Sequence, residues 1–177
     1  MVDVHFIQYD DERHRAQYIE MLREYTEWLD NEVNNHYGVR LIQDSDINQL
    51  IQRFVPIWTS VKPPRGDIYI LEANNKAVGM GRLSTLEEGI GEVHSIWTSP
   101  EHRGKGYATR LMKHIEEKAR DFGFSKLRLD TARFNHPAQR LYHKIGYREI
   151  DMYKPGSFHN ESLKRYYEEK VYMEKKL

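Results

Sequence analysis

The ten residues 99–108, Ser-Pro-Glu-His-Arg-Gly-Lys-Gly-Tyr-Ala, limit the fold of this chain more than any other stretch. Upstream of them, residues 67–73, 76–83 and 89–98 read as strands, the first two joined at Asn74-Asn75, residues that tolerate the left-handed conformations of a tight hairpin. Downstream, Ala108, Leu111, Met112, Ile115, Ala119 and Phe122 recur at helical spacing and Gly123 follows as a stop. A strand therefore hands over to a helix through a short segment holding two glycines and two basic residues.

The remaining elements follow from the same periodicities. Residues 4–9 read as a strand and 11 to about 31 as a helix carrying Tyr18, Met21, Leu22, Tyr25 and Leu29, capped by Asp10 or Asp11. A second helix spans 46–54, with Ile47, Leu50, Ile51 and Phe54 on one face and Asp44 or Ser45 as cap. Residues 63–66, Pro-Pro-Arg-Gly, form a turn. Residues 126–131 are a strand, 137–144 a short helix closed by Gly146, and 147–153 and 171–175 the last strands. The order β-α-α-β-β-β-α-β-α-β-β is that of an α/β sandwich on a mixed sheet.

With 177 residues the chain has the length of one domain, residues 1–177. Lys plus Arg and Asp plus Glu are 27 each, so no global field draws it to nucleic acid or to an anionic membrane. No stretch approaches the roughly 20 apolar residues of a membrane span, and the first residues lack a signal-peptide pattern. A cytoplasmic protein is the expectation. The absence of cysteine excludes disulfides, thiolate metal sites and a catalytic thiol, and no metal is expected.

The chemistry lies in the glycine segment. Glycines permit backbone conformations that other residues resist and allow close approach. Amides at a helix start, at the positive end of the helix dipole, bind anions. Arg103, Lys105 and Arg110 add positive charge, so a pyrophosphate is a natural ligand. A solvated basic connection explains the same composition. The dinucleotide-binding Gly-x-Gly-x-x-Gly is broken by Thr109, and the Gly-Lys-Ser/Thr ending of a phosphate-binding loop is absent.

Residues 103–108 match the Arg/Gln-x-x-Gly-x-Gly/Ala loop of the GCN5-related N-acetyltransferase (GNAT) superfamily, with Ile96-Trp97-Thr98-Ser99-Pro100 in place of its lead-in. Residues 135–147 resemble the family's Asn-x-x-Ala-x-x-Leu-Tyr-x-x-x-Gly-Phe/Tyr motif. The resemblance is specific over residues 76–150. It implies the acyl-coenzyme A N-acyltransferase fold, with a mixed, mostly antiparallel seven-stranded sheet flanked by helices. It also implies acetyl-coenzyme A as cosubstrate, a primary amine on a small molecule or peptide as acceptor, and direct attack in a ternary complex. By the resemblance, the strands ending at Thr98 and Thr131 splay apart. The pantetheine arm pairs with the backbone of Ile96, Trp97 and Thr98, and Gly104, Lys105, Gly106, Tyr107 and Ala108 hold the pyrophosphate beside Arg103. Asn135 caps a helix, contacts the pantetheine, or does both. Tyr142 is a core tyrosine or, as in many relatives, the donor of a proton to the leaving thiolate.

Strict alternation along residues 91–98 puts Glu92, His94, Ile96 and Thr98 on one face. Glu92 falls where the histone-acetylating branch carries its catalytic glutamate. His94 is nearer the thioester and competes as base. Tyr25, Trp28, Trp58 and Tyr69 are core aromatics or walls of an acceptor pocket, and residues 155–162 are a surface loop or lid. The alternative from another class is a non-catalytic acyl-coenzyme A sensor. The acceptor and any homodimer stay open.

Overall fold

The computed structural model describes residues 3–42, 46–153 and 164–177. Its sheet has seven strands, β1 (Val4–Gln8), β2 (Gly66–Ala73), β3 (Lys76–Glu87), β4 (Ile90–Thr98), β5 (Lys126–Ala132), β6 (Arg148–Ile150) and β7 (Lys170–Lys176). They lie in the order β1-β2-β3-β4-β5-β7-β6. All pairs are antiparallel except β4 with β5.

Helices cover both faces. On one side α1 (Asp11–Tyr37) and α2 (Ile47–Thr59) bury Tyr18, Met21, Leu22, Ile51 and Val55 against Ile68, Ile70, Met80 and Trp97. On the other, α3 (Tyr107–Asp121) buries Leu111, Met112, Ile115 and Ala119 against Leu83, Val93, Leu127 and Leu129. Gly81 lets α3 pass close over the sheet: a Cβ there would come within 2.7 Å of Ile96 Cδ1 and 2.8 Å of Ile115 Cδ1, so those side-chain ends would have to shift. Two shorter helices, α4 (His136–Lys144) and α5 (Lys164–Glu168), complete the fold.

Asp10 caps α1 by accepting from Arg13 N at 2.8 Å. The helix runs past residue 31 because Val33 and Tyr37 continue the apolar stripe of Leu29, and they pack in a cluster with Ala132 and Tyr166. Gly38, at φ 68°, ends it. Asp46, expected inside α2, is its cap and accepts from Asn48 N; the expected caps Asp44 and Ser45 lie outside the described residues. Only residues 148–150 of the expected 147–153 form a strand, since Tyr147 turns into the core against Tyr142. Helix α5 had no counterpart in the periodicity. The segment 155–162 also lies outside the described residues.

Asp67, 3% exposed at the start of β2, is pushed up to about 6 by burial, against the hydrogen bond it accepts from Ile68 N. A carboxyl with a raised folded-state pKa contributes full stability below its unfolded value, near 3.8, and loses it as pH rises through about 6. Asp67→Asn should therefore melt higher than wild type at pH 8, by no more than about 3 kcal/mol. The difference should close by pH 4, which thermal melts across that range would measure.

Candidate active site

The site begins with one extra residue in β4. Trp97 pairs with Met80 and His94 with Arg82, so Ser95 and Ile96 together oppose Gly81. Ser95 takes up the surplus at φ 52°, a conformation that non-glycine residues seldom adopt. The bulge breaks strict alternation. His94, partnered to Arg82 and bonded to Ser84, faces α1 and α2 together with Glu92, while Ile96 turns to α3. The expected common face for Glu92, His94, Ile96 and Thr98 is thus corrected. Trp97 takes the α1 side instead, its ring 5.7 Å from Tyr25 and 5.6 Å from Trp28.

Parallel pairing between β4 and β5 stops at Glu92↔Arg128. Beyond it, β4 remains paired to β3 and β5 to β7. A cleft of about 750 Å³ fills the divergence, extending from Gly104 and Gly106 past Tyr142 to Trp58 and Lys170.

Below the cleft a 3-10 turn, Pro100–His102, leads into the glycine segment. Gly104 and Gly106 sit at φ 75° and 74°, and a Cβ at either would meet nothing within 4 Å. Gly106 caps α3 without a side-chain hydrogen bond, an arrangement in which first-turn amides are suited to an anion. Arg103 turns back: its Nε donates to Thr98 O at 3.1 Å and its guanidinium lies 4.5 Å over the Trp97 ring. It braces loop against strand. Lys105 Nζ donates to Glu101 O at 3.2 Å, and Arg110 stacks on Phe6. Tyr107 lines the cleft and packs on Leu71, Ala73 and Val78. Thr98 Oγ1 is buried without a partner among the described residues. Glycine cradle, uncapped helix and exposed strand backbone fit an extended anionic ligand such as acetyl-coenzyme A.

Asn135 caps α4, accepting from Ala138 N at 3.4 Å, and also borders the cleft. Tyr142, 7% exposed, reaches the cleft from α4. Burial, then the charges of Tyr25 and Asp130, hold its phenol well above the usual value, so it keeps its proton at neutral pH. His94 also borders the cleft. Burial first, then Arg82 and Lys170, hold its imidazole well below 6.5, so it is neutral at pH 7. Its Nε2 lies 2.9 Å from Ser84 Oγ and 3.3 Å from Glu92 Oε2. Glu92, 1% exposed, stands behind the histidine and accepts from Tyr153 OH at 3.0 Å.

Of the aromatics expected as acceptor walls, Tyr25, Trp28 and Trp58 border the cleft. Tyr69 does not: it is 2% exposed on the α3 side, edge-on to His114. Sequence reasoning missed Arg82 and the pair Lys170–Asp130, whose Nζ and Oδ1 are 2.6 Å apart. Arg82 carried a signal, since β3 places it beside His94; Lys170 carried none, because its partner comes from a strand distant in sequence.

A mostly antiparallel seven-stranded sheet opened between two parallel strands, over a glycine-capped helix, is the acyl-coenzyme A N-acyltransferase fold. The chain belongs to the acetyltransferase (GNAT) family, whose model matches residues 16–147. It is an N-acetyltransferase of that family. It is 28% identical over 128 residues to the uncharacterized N-acetyltransferase YjgM of Escherichia coli strain K12, covering 68% of this chain and 72% of that one. It is 34% identical over 102 residues to the IAA acetyltransferase of Azospirillum brasilense, covering 56% and 65%. The crystal structure of PaiA N-acetyltransferase from Thermoplasma acidophilum, in complex with coenzyme A, superposes with a TM-score of 0.72 at 19% identity, over 99% of each chain.

Coenzyme A at 100 times its Kd should stabilise the protein by about 2.7 kcal/mol, read as a rise in Tm. Gly106→Val should abolish that rise. Because a Cβ there meets no atom within 4 Å, the variant should itself lose about the 1–2 kcal/mol cost of a left-handed residue.

Proposed function

We propose that this acetyltransferase transfers the acetyl group of acetyl-coenzyme A directly to a primary amine bound at the aromatic end of the cleft. The divergence of β4 and β5 above the uncapped head of α3 carries this reading. One cleft offers a place for each substrate, as a ternary complex requires. The sequence contains no cysteine to carry the acyl group as a thioester. The reading calls for no metal, and it places the enzyme in the cytoplasm; no helix among the described residues is long and apolar enough to cross a membrane.

In this reading the amides from Gly104 to Ala108 hold the pyrophosphate. The backbone of Ile96, Trp97 and Thr98, free on its β5 side, pairs with the pantetheine as an added strand would. Asn135 adds a contact from the head of α4. The amine nitrogen forms a bond to the thioester carbonyl carbon and the carbon–sulfur bond breaks. Tyr142, protonated, supplies the departing thiolate with a proton.

His94 takes the proton from the amine. It borders the cleft and is neutral, whereas Glu92 is buried behind it. With Nε2–H donated to Ser84 Oγ, Nδ1 is the ring's lone-pair atom, and the Glu92 carboxylate, 3.3 Å from Nε2, stabilises the imidazolium as it forms. The order of the two candidates is thereby reversed from Glu92 first to His94 first.

An assay for released coenzyme A over a panel of amines tests the activity; no turnover with any amine would sink it. Tyr142→Phe keeps the ring packing and should reduce kcat by about tenfold or more, with coenzyme A affinity unchanged. Since His94 must be neutral to act, its acidic limb should lie below pH 6.5. His94→Gln should remove that limb, and Glu92→Gln should move it while costing less activity. A limb that survives in His94→Gln and vanishes in Glu92→Gln would restore Glu92 as the base.

A further inference from the structure

Arg82 is a buried charge at the edge of the cleft. It sits on β3, directly paired with His94 across the strand boundary, and borders the acceptor end of the cleft. The residue is 8% exposed. Its Nε has no hydrogen-bond partner, and no carboxylate comes within ion-pair distance among the described residues. Its guanidinium lies 5.3 Å over the Trp58 ring. Glu92 contributes only a longer-range field. Beside it the Tyr18 hydroxyl is also buried without a hydrogen-bond partner among the described residues. An unpaired charge or unsatisfied donor in the interior is costly, and a guanidinium offers five N–H groups in a fork that fits a carboxylate. Among the described residues at this end, Lys170 is committed to Asp130 at 2.6 Å.

We propose that Arg82 binds a carboxylate carried by the acceptor itself, and that the acceptor is a free amino acid with an apolar or aromatic side chain. The proposal rests on the N-acetyltransferase reading above. Directly paired residues on neighbouring strands stand about 5 Å apart. Arg82 and the base His94 are such a pair, so the anion and the amine they serve must be close within one small molecule. An α-amino acid meets that condition. A lysine side chain within a protein, or the N-terminus of a long peptide, carries no carboxylate beside its amine. A polyamine has no carboxylate for Arg82 and would bring further positive charge to it. Tyr25, Trp28 and Trp58 provide an apolar wall for the side chain.

The test compares L-phenylalanine, L-leucine and L-tryptophan with phenethylamine, isopentylamine and tryptamine, the same bodies without the carboxylate. Assays use the full chain with acetyl-coenzyme A. In wild type, kcat/KM for at least one amino acid should exceed that of its matching amine tenfold or more. Arg82→Gln should raise KM for that amino acid at least tenfold more than KM for its matching amine, since any change in the proton affinity of His94 is common to both substrates; Arg82→Lys should recover part of the loss. A thermal shift with coenzyme A, retained in both variants, shows that the fold persists. If Arg82→Gln does not fold, the wild-type comparison still decides. Equal or better turnover of the amines overturns the carboxylate site and leaves the N-acetyltransferase reading standing. No acetylation of any compound in the wider amine panel overturns both.

Discussion

The bulge at Ser95 gives β4 one residue more than β3, and the site is built on that surplus. A bulge bends its strand, and this one lies just past the point where β5 departs; among the described residues the backbone from Val93 onward pairs on one side only. It also moves side chains between faces. Trp97 reaches α1, where Arg103 stacks on it and ties the glycine loop to the strand, while His94 stays beside Arg82. A flat, fully paired strand would have neither a cleft nor this division of labour.

Charge inside the cleft is arranged locally, although the whole chain balances 27 basic against 27 acidic residues. Burial is the largest cause of the lowered histidine pKa, and Arg82 and Lys170 add to it. Asp130 offsets Lys170, and the same aspartate adds to the field that keeps Tyr142 protonated. The imidazole of His94 is thus kept neutral and the phenol of Tyr142 protonated by overlapping sets of neighbours.

The parts of this arrangement that are local in sequence were legible there. The glycine loop, the head of α3, the Asn135 cap and the tyrosine of α4 lie within single elements or their junctions. The seven strands followed from alternation. The faces of β4 did not, because a bulge at a serine leaves no glycine signal and alternation counts every residue once. Tyr69 has the composition of a pocket wall, yet β2 directs it to α3 and His114. Asp130 meets Lys170 only through pairing of β5 with a strand from the far end of the sequence, beyond the reach of periodicity.

That pairing has a consequence for how the molecule is assembled. β2, β3 and β4 form a meander whose partners are sequence neighbours. β5 is held to this meander by three residue pairs, whereas β7, which enters the sheet out of sequence order, supplies seven. Loop closure makes such distant contacts late ones. On a ribosome, the half of the sheet bearing the coenzyme loop has its partners early, and the opposite wall of the cleft waits for β7 to emerge. The cleft is therefore a seam between an early-folding and a late-folding half.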